Sequence, residues 1–444
     1  MPRSVAFHTL GCKVNQYDSQ AMLELFRAAG YEAVPFEGEA DVYVINTCTV
    51  TGVGDKKSMQ LARRIRRLHP ESDLILCGCL AQRKGEALLR ETGARLVLGT
   101  QRRAEVVTLL EQAVRSDTRM ACVDPLPKGT PYEPLWVRTQ EEHTRAVMKI
   151  QEGCDNRCTY CIIPSVRGPI RSRLPESIRA EAEALAEAGF REIVLTGIHL
   201  TSYGRDLGGI TLLDAIRTVH EVDGVRRIRL GSLEPTVATR DFAEALRRLP
   251  KVCPQFHLAL QSGCDTVLNR MARRYNMRMY GEAVANLRAV FPDCALTTDV
   301  LTGFPGETEE EHRVTCEALR DIRFARIHVF PYSRREGTKA ADMPGQLSRA
   351  EKEARVRELM AIGEETGRLY RGSWLGRETV VLLETSDAGG WHGYTPEYIP
   401  VTVAPAPGLS SGDLAAVRLG ALLGDGMTGT VIMRSESERS TEHV

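Results

Sequence analysis

Long apolar runs are missing from this 444-residue chain. No stretch of about 18 apolar residues occurs, so nothing in it reads as a membrane-spanning helix. The opening MPRSVAFHTLGCKVNQ has neither the apolar core nor the small-residue cleavage site of a secretory leader. The expectation is a cytoplasmic protein with no membrane partner. Aromatic residues are scarce at 6%, yet apolar residues reach 43%, enough for several aliphatic cores and too many for a disordered chain. Net charge is absent as well, because 58 Lys and Arg offset 58 Asp and Glu. That excludes bulk attraction to a polyanion, so any nucleic-acid contact must come from a local patch. The length allows two to four domains and argues against a single small binding module.

Cysteine, in contrast, is plentiful, with twelve in the chain. In a reducing compartment these are buried thiols, metal ligands or catalytic groups more often than disulfides, so the question is which of them are ligands.

Residues 1–115 alternate short apolar runs (Val5–Leu10, Val42–Asn46, Leu74–Leu76, Leu96–Leu98) with amphipathic segments (Asp18–Ala29, Lys56–Leu68, Gln82–Arg90). This βαβ rhythm predicts a parallel-sheet domain. The proline-rich stretch 116–142 predicts a linker. A second domain, 143–371, repeats a strand–helix unit six times, with strands predicted at Ala146–Ile150, Glu192–Leu195, Arg226–Leu230, Gln255–Leu260, Ala295–Leu301 and Ala325–Phe330. Six βα units fit a partial α/β barrel whose chemistry sits at the C-terminal ends of its strands. Residues 372–434 turn to short β-rich runs punctuated by Gly and Pro, the length of a small five-stranded barrel. Ser435–Val444 is polar and expected to fray.

The densest signal is Cys154-Asp155-Asn156-Arg157-Cys158-Thr159-Tyr160-Cys161, directly after the first strand of the repeat. Three thiolates at this spacing can wrap one face of a cubane cluster and leave its fourth iron without a protein ligand. A zinc site would want a fourth Cys or His nearby, and none follows at the usual spacing. Cys12, Cys48 and Cys79 each lie just past a predicted parallel strand, where the strand ends share an edge at which ligands collect. Convergence on a second cluster and three separate buried thiols are both open on spacing alone. Cys77 reads as a strand thiol, and Cys122, Cys253, Cys264, Cys294 and Cys316 as buried reduced thiols. The histidines form no pair at metal-ligand spacing, and His257 reads as a satisfied strand residue.

Cys154-x-x-x-Cys158-x-x-Cys161 at the end of a first strand, within a six-fold βα repeat, resembles the radical S-adenosylmethionine superfamily. The words Thr9–Gln16, Ile45–Val50 and Cys77–Gln82 resemble the N-terminal domain of the radical methylthiotransferases. With a terminal β-domain similar to the family's TRAM module, the resemblance covers about residues 4 to 434. It implies two 4Fe-4S clusters, one on Cys154, Cys158 and Cys161 and one on Cys12, Cys48 and Cys79. The first would chelate S-adenosylmethionine and generate a 5′-deoxyadenosyl radical. The second would carry the sulfur that one S-adenosylmethionine methylates, while another is cleaved to activate the substrate carbon. The resemblance also implies cofactor contacts from Tyr160 beside the adenine, Gly197 near the amino group, and Ser232, Glu234, Gln261, Leu301 and Gly303 at later strand ends. Glycines at strand ends serve plain turns equally well.

For the substrate, Leu10–Ser19 and Phe330-Pro331-Tyr332-Ser333 look most like the branch that thiomethylates threonylcarbamoyladenosine beside the tRNA anticodon. An external electron donor and a sulfur source are then required partners. The branches acting on a ribosomal-protein aspartate or on isopentenyladenosine in tRNA share the core, and a noncatalytic iron–sulfur RNA-binding scaffold is the alternative of another class. Lys56, Lys57, Arg63, Arg64, Arg66 and Arg67 crowd one predicted helix, and Arg167, Arg171 and Arg173 follow the cysteine loop. The first set can face phosphates or simply be solvated; the second is expected at the substrate entrance. The terminal β-domain carries Arg377, Arg418 and Arg434 against six carboxylates, a formal charge of −3. Trp391, Tyr394 and Tyr398 are left to stack on bases or to pack in a core.

Overall fold

The computed structural model describes residues 2–138 and 144–432. The segment Ser435–Val444, expected to fray, lies outside the described residues. Strands β1 (Ser4–Thr9), β2 (Glu32–Ala33), β3 (Val42–Thr47), β4 (Asp73–Gly78), β5 (Leu96–Leu98) and β6 (Met120–Cys122) form one parallel sheet in the order β2-β1-β3-β4-β5-β6. β3, Val-Tyr-Val-Ile-Asn-Thr, is buried throughout, as a central strand covered on both faces must be. Alternate residues serve the two faces. Val42 and Val44 meet Met22 and Phe26 of helix Lys13–Ala28, whereas Tyr43 and Ile45 meet Ala62 and Ile65 of helix Gly52–Leu68. β6 continues this sheet inside the stretch expected to be a linker. The predicted helix Gln82–Arg90 is two, Cys79–Lys84 and Glu86–Thr92, interrupted at Gly85.

The second region contains β7 (Arg145–Glu152), β8 (Arg171–Ser172), β9 (Glu192–Gly197), β10 (Arg227–Leu230), β11 (Gln255–His257), β12 (Ala295–Thr302) and β13 (Arg326–Pro331). β7, β9 and β10 pair in parallel, as do β11, β12 and β13, while β8 adds an antiparallel edge to β7. The two sheets are joined across β10 and β11, where Leu233 and Leu258 form a parallel bridge. The six parallel strands thus make a partial barrel. Strand periodicity sorts its residues. Met148, Ile150, Ile193, Leu195, Ile228, Leu230, Phe256 and Leu296 face the outer helices and share one core with Ile178, Ile216, Leu246, Leu287 and Leu319. Each such Leu or Ile removed from water stabilises the fold by roughly 1.5–3 kcal/mol. The alternate positions are mostly polar: Arg145, Lys149 and Gln151 on β7, Glu192 on β9, Arg227 and Arg229 on β10, Gln255 and His257 on β11, Asp299 on β12 and His328 on β13. They line the concave side.

β14 (Glu378–Asp387), β15 (Gly390–Tyr394), β16 (Pro400–Val403), β17 (Leu414–Leu423) and β18 (Gly426–Val431) close into a barrel ordered β14-β15-β16-β18-β17. It caps the first region's neighbour directly: Arg227 donates to the carbonyls of Val380 (2.6 Å) and Tyr394 (3.0 Å), and Arg229 to that of Pro396 (2.9 Å). Tyr394 and Tyr398 stack on each other with centroids 4.6 Å apart and lie under the guanidinium groups of Arg145 and Arg229. These two rings are occupied by an intramolecular interface, and Trp391 packs on the barrel core. All three residues are half-buried.

Candidate active site

Cys154, Cys158 and Cys161 occupy the loop that leaves the C-terminal end of β7. Gly153 turns the chain there at φ +71°, and a Cβ on it would come within 1.9 Å of the Pro169 carbonyl oxygen, so only glycine fits. The Cys154 amide then donates to the Gly168 carbonyl (3.0 Å) and the Cys161 amide to that of Cys158 (3.0 Å), which curls the three thiols to one side. Burial pushes the Cys154 thiol up to about 11 and that of Cys161 to about 12. Unliganded thiolates are therefore costly here, and a metal that binds thiolate would repay the cost.

A cavity of about 140 Å³ brings these thiols together with Tyr160, Ser232 and Glu234, three of the residues expected to contact the cofactor. Gly197, Gln261, Leu301 and Gly303 are not in its lining. Leu301 packs with Tyr160 and Phe304 in an apolar cluster, Gln261 ties β11 to β12 by accepting from the Leu301 amide (2.8 Å), and the Gly303 amide donates to Glu307 (2.5 Å). Three lining residues gave no signal in the sequence. Arg273 donates to the Cys158 sulfur (3.2 Å) and to Glu234 (2.7 Å), His199 stands 3.1 Å from Glu234, and Asn156 donates to the same carboxylate (3.0 Å). Burial alone would raise the Glu234 carboxyl, but His199, Arg273 and Asn156 hold it below its usual range. The site thus presents a fixed anion beside an arginine-bonded thiol. A wider cleft of about 560 Å³ opens on the other side of the loop, with Lys128, Arg157 and Lys339 in its lining.

Cys12, Cys48 and Cys79 follow β1, β3 and β4, whose C-terminal ends share an edge. They are brought together: Gly11 lies against Cys48, where an added Cβ would be 3.0 Å from its sulfur, and burial with the charge of Cys12 raises the Cys48 thiol. Burial pushes Cys79 up to about 11 against the pull of Arg167. Gly78, at φ +90°, makes the tight exit from β4; a Cβ there would stand 2.3 Å from Asn46 Oδ1. Cys77 points the other way into the sheet core, as a strand thiol should. All twelve cysteines are free.

Arg167 and its neighbours require a correction. The expected basic patch at the substrate entrance is internal: Arg167, Arg171 and Arg173 are buried, and so is Arg103. Arg167 donates to the Cys79 sulfur (3.2 Å), to Glu152 (2.7 Å), to Asp18 (3.2 Å) and to Asn15. Lys149 and Arg103 complete this network on Asp18 and Glu152, and Arg173 pairs with Glu181 and Tyr17. Guanidinium groups so enclosed position thiols and join domains; they do not meet phosphate. The sequence hid this because charged residues are presumed exposed unless their partners, for Arg167 between 15 and 152 residues distant, are known.

The two thiol sets are continuous. Helix Ile163–Arg167 starts two residues after Cys161 and ends on the arginine bonded to Cys79, and Ile162 and Val166 pack on Cys79. A second tie runs from the loop after β13, where Arg335 donates to Thr49 and Asp55 (both 2.7 Å) and Ser333 accepts from the Gly52 amide (3.1 Å). On helix Gly52–Leu68, Lys56, Lys57, Arg63, Arg64 and Arg67 are exposed and, among the described residues, unpaired, whereas Arg66 turns inward to the Ser72 carbonyl (3.0 Å). His257 is satisfied by Thr297 (3.1 Å) and faces Asp299 (3.4 Å). Cys316 has neighbours the spacing did not suggest: it lies beside His312 (3.6 Å), which pairs with Glu358 (3.0 Å).

Residues 4–99 match the model of the uncharacterized protein family UPF0004, and residues 148–319 that of the radical SAM superfamily. The chain is 42% identical over 406 residues to the threonylcarbamoyladenosine tRNA methylthiotransferase MtaB of Bacillus subtilis (strain 168), covering 90% of each protein. The chain belongs to the radical SAM methylthiotransferase family. A second methylthiotransferase of the same name, from Thermotoga maritima, is 34% identical over 383 residues, covering 86% of this chain and 87% of that protein. Among solved structures, the radical S-adenosylmethionine methyltransferase TsrM of Kitasatospora setae superposes with a TM-score of 0.58 at 15% identity, covering 77% of this chain and 74% of that one. That likeness is one of fold. Membership of the methylthiotransferase family carries S-adenosylmethionine and iron–sulfur chemistry, and the two sets of free thiols have the donor set such chemistry needs. No helix among the described residues is long and apolar enough to cross a membrane.

Proposed function

We propose that this methylthiotransferase replaces the C2 hydrogen of adenine in N6-threonylcarbamoyladenosine, beside the tRNA anticodon, with a methylthio group, and that it does so in the cytoplasm. The observation that carries the reading is the pair of thiol triads joined by one short segment, Cys161 to Arg167, in a chain whose relatives at 42% and 34% identity bear that name. Cys154, Cys158 and Cys161 would hold one 4Fe-4S cluster and Cys12, Cys48 and Cys79 another. When bound, the first supplies an open iron and a reducing electron for S-adenosylmethionine and the second an open iron for sulfur.

The protein's own part is orientation and charge. Arg273 donates to the Cys158 sulfur and offsets its negative charge, while fixing Glu234 at the wall that Ser232 and Tyr160 share. Arg167 does the same for Cys79 and is itself fixed by Asp18 and Glu152, so neither arginine reorganises when charge changes on the sulfur it touches. Exposed Lys56, Lys57, Arg63, Arg64 and Arg67 offer a phosphate-binding face that begins two residues beyond Thr51–Gly54, the turn after Cys48. An anticodon loop suits this arrangement because its bases can be splayed into a pocket rather than read in a duplex groove. An external electron donor and a sulfur source complete the reaction.

The test is nucleoside mass spectrometry of tRNA from a strain lacking the gene, with and without the gene restored. Loss of the methylthio nucleoside and its return on complementation support the reading. Persistence of that nucleoside, with loss of methylthio-aspartate from a ribosomal protein instead, overturns it.

A further inference from the structure

A third cavity, of about 380 Å³, lies where all three parts of the molecule meet. Lys13 and Gln16 of helix Lys13–Ala28 form one wall, Arg145, Val147 and Val194 of β7 and β9 the second, and Glu384 and Tyr398 of the terminal barrel the third. Of the three charged side chains in its lining, Arg145 and Glu384 are matched to each other and Lys13 is left over. Arg145 is bound to Glu384 (2.6 Å) and covers the Tyr394 and Tyr398 rings, while Arg229 is bound to Glu192 (2.7 Å). Among the described residues Lys13 itself has no hydrogen-bond or ion-pair partner. The cavity's lining therefore holds one surplus positive charge, on a residue that is exposed as a whole. A walled site with one unmatched cation is built for one anion.

Its position says which anion. Lys13 is bonded to Cys12, so the ammonium stands within one side chain's length of the sulfur-carrying triad. In adenine, N6 and C2 flank N1 on the same edge. A base that brings C2 to that triad therefore carries its N6 substituent to within a side chain's length of the same place. The threonylcarbamoyl substituent ends in a carboxylate. We propose that Lys13 binds this carboxylate, with the Gln16 amide one turn along the same helix face as a second donor, making the three-walled cavity the subsite that selects an acidic N6 substituent over a neutral one. This inference rests on the substrate proposed above. A neutral alkyl group on N6 would leave the ammonium unpaired and set apolar atoms among the polar side chains of the lining, which penalises the wrong base as well as rewarding the right one.

The test measures binding by the anaerobically reconstituted holoenzyme to three anticodon stem–loops: one bearing threonylcarbamoyladenosine, one bearing its methyl ester, and one bearing plain adenosine. A charge-assisted hydrogen bond predicts that the free acid binds about ten- to a hundredfold more tightly than the ester. Lys13→Met should bring acid and ester to equal affinity, and Lys13→Arg should restore the difference; iron and sulfide content equal to wild type shows that the Cys12 triad is intact in each. Equal binding of acid and ester by the wild type overturns the proposal without use of any variant, as does a preference that survives in Lys13→Met. Failure of the substrate reading looks different: the wild type would then leave the threonylcarbamoyladenosine loop without a methylthio group at every concentration, whatever its affinity for the ester.

Discussion

Cys154, Cys158 and Cys161 belong to one loop of eight residues, whereas Cys12, Cys48 and Cys79 stand at the ends of three strands of a sheet. The first set is shaped by short-range features, a glycine at φ +71° and two backbone hydrogen bonds. The second depends on the register of β1, β3 and β4, which holds only while the helices on both faces of that sheet stay packed. The difference teaches that two sites with the same donor set need not share a stability. A loop motif can survive local unfolding around it, whereas a site spread over a sheet inherits the cooperativity of the whole domain.

The largest effects should come from the thiols themselves, and they should be separable. Cys154→Ala is expected to remove about half of the roughly eight irons of the reconstituted protein and to abolish cleavage of S-adenosylmethionine to 5′-deoxyadenosine. Cys12→Ala should remove a similar share of iron, leave reductive cleavage measurable, and abolish methylthio product. Iron assays with quantitation of 5′-deoxyadenosine and of the modified nucleoside check both. Loss of cleavage in both variants would mean that the two sets are a single functional unit and would break the comparison.

Arg167 sharpens it, being a charged side chain that bonds to the sheet-built triad from the loop-built side. Its guanidinium is buried on Cys79, Asp18 and Glu152. Removal of one member of a buried ionic network leaves its partners uncompensated, at a cost of about 3–5 kcal/mol. Arg167→Gln should therefore lower the denaturation midpoint of the apoprotein and, on reconstitution, deplete iron from the Cys12 set before the Cys154 set. Arg167→Lys keeps charge but not the fork that spans three partners, and should recover only part of the stability. Equal depletion of both sets would show that the loop is no more self-sufficient than the sheet.

The loop site was legible because its information is local: spacing alone carries the donor set, and a strand before it supplies the position. The sheet-built site was legible only as strand ends, since convergence needs the strand order, which short apolar runs do not encode. The strand–helix rhythm likewise yielded the partial barrel, but not β8, two residues long, nor β6, whose Met-Ala-Cys carries no alternation. What spacing could not reach was the polar interior. Arg273, His199 and Asn156 act at the cofactor cavity from three separate segments, and Arg167, Arg171 and Arg173 look in sequence like a surface patch. Charge in a sequence signals solvent by default, and only the fold shows which charges have been paired and enclosed.

The smallest effect concerns the rim of the sheet-built site. Helix Gly52–Leu68 displays Lys56, Lys57, Arg63, Arg64 and Arg67 on its exposed side, with Ser58, Ala62 and Ile65 buried opposite. No comparable exposed run follows the loop triad among the described residues, since Arg167, Arg171 and Arg173 are internal. If this face holds phosphates, each contact removed should lower the slope of log affinity against log salt by about 0.7 to 0.9. Lys56→Gln with Arg63→Gln should then reduce the slope by roughly 1.5 for every tRNA tested, since phosphate contacts carry no base information. The fold should be untouched, both side chains being exposed and without partners among the described residues, so the denaturation midpoint serves as the control. Binding titrations at four or five salt concentrations check the slope. An unchanged slope would make this helix face merely solvated and move the electrostatic contact to the cleft lined by Lys128, Arg157 and Lys339, on the loop triad's side of the molecule.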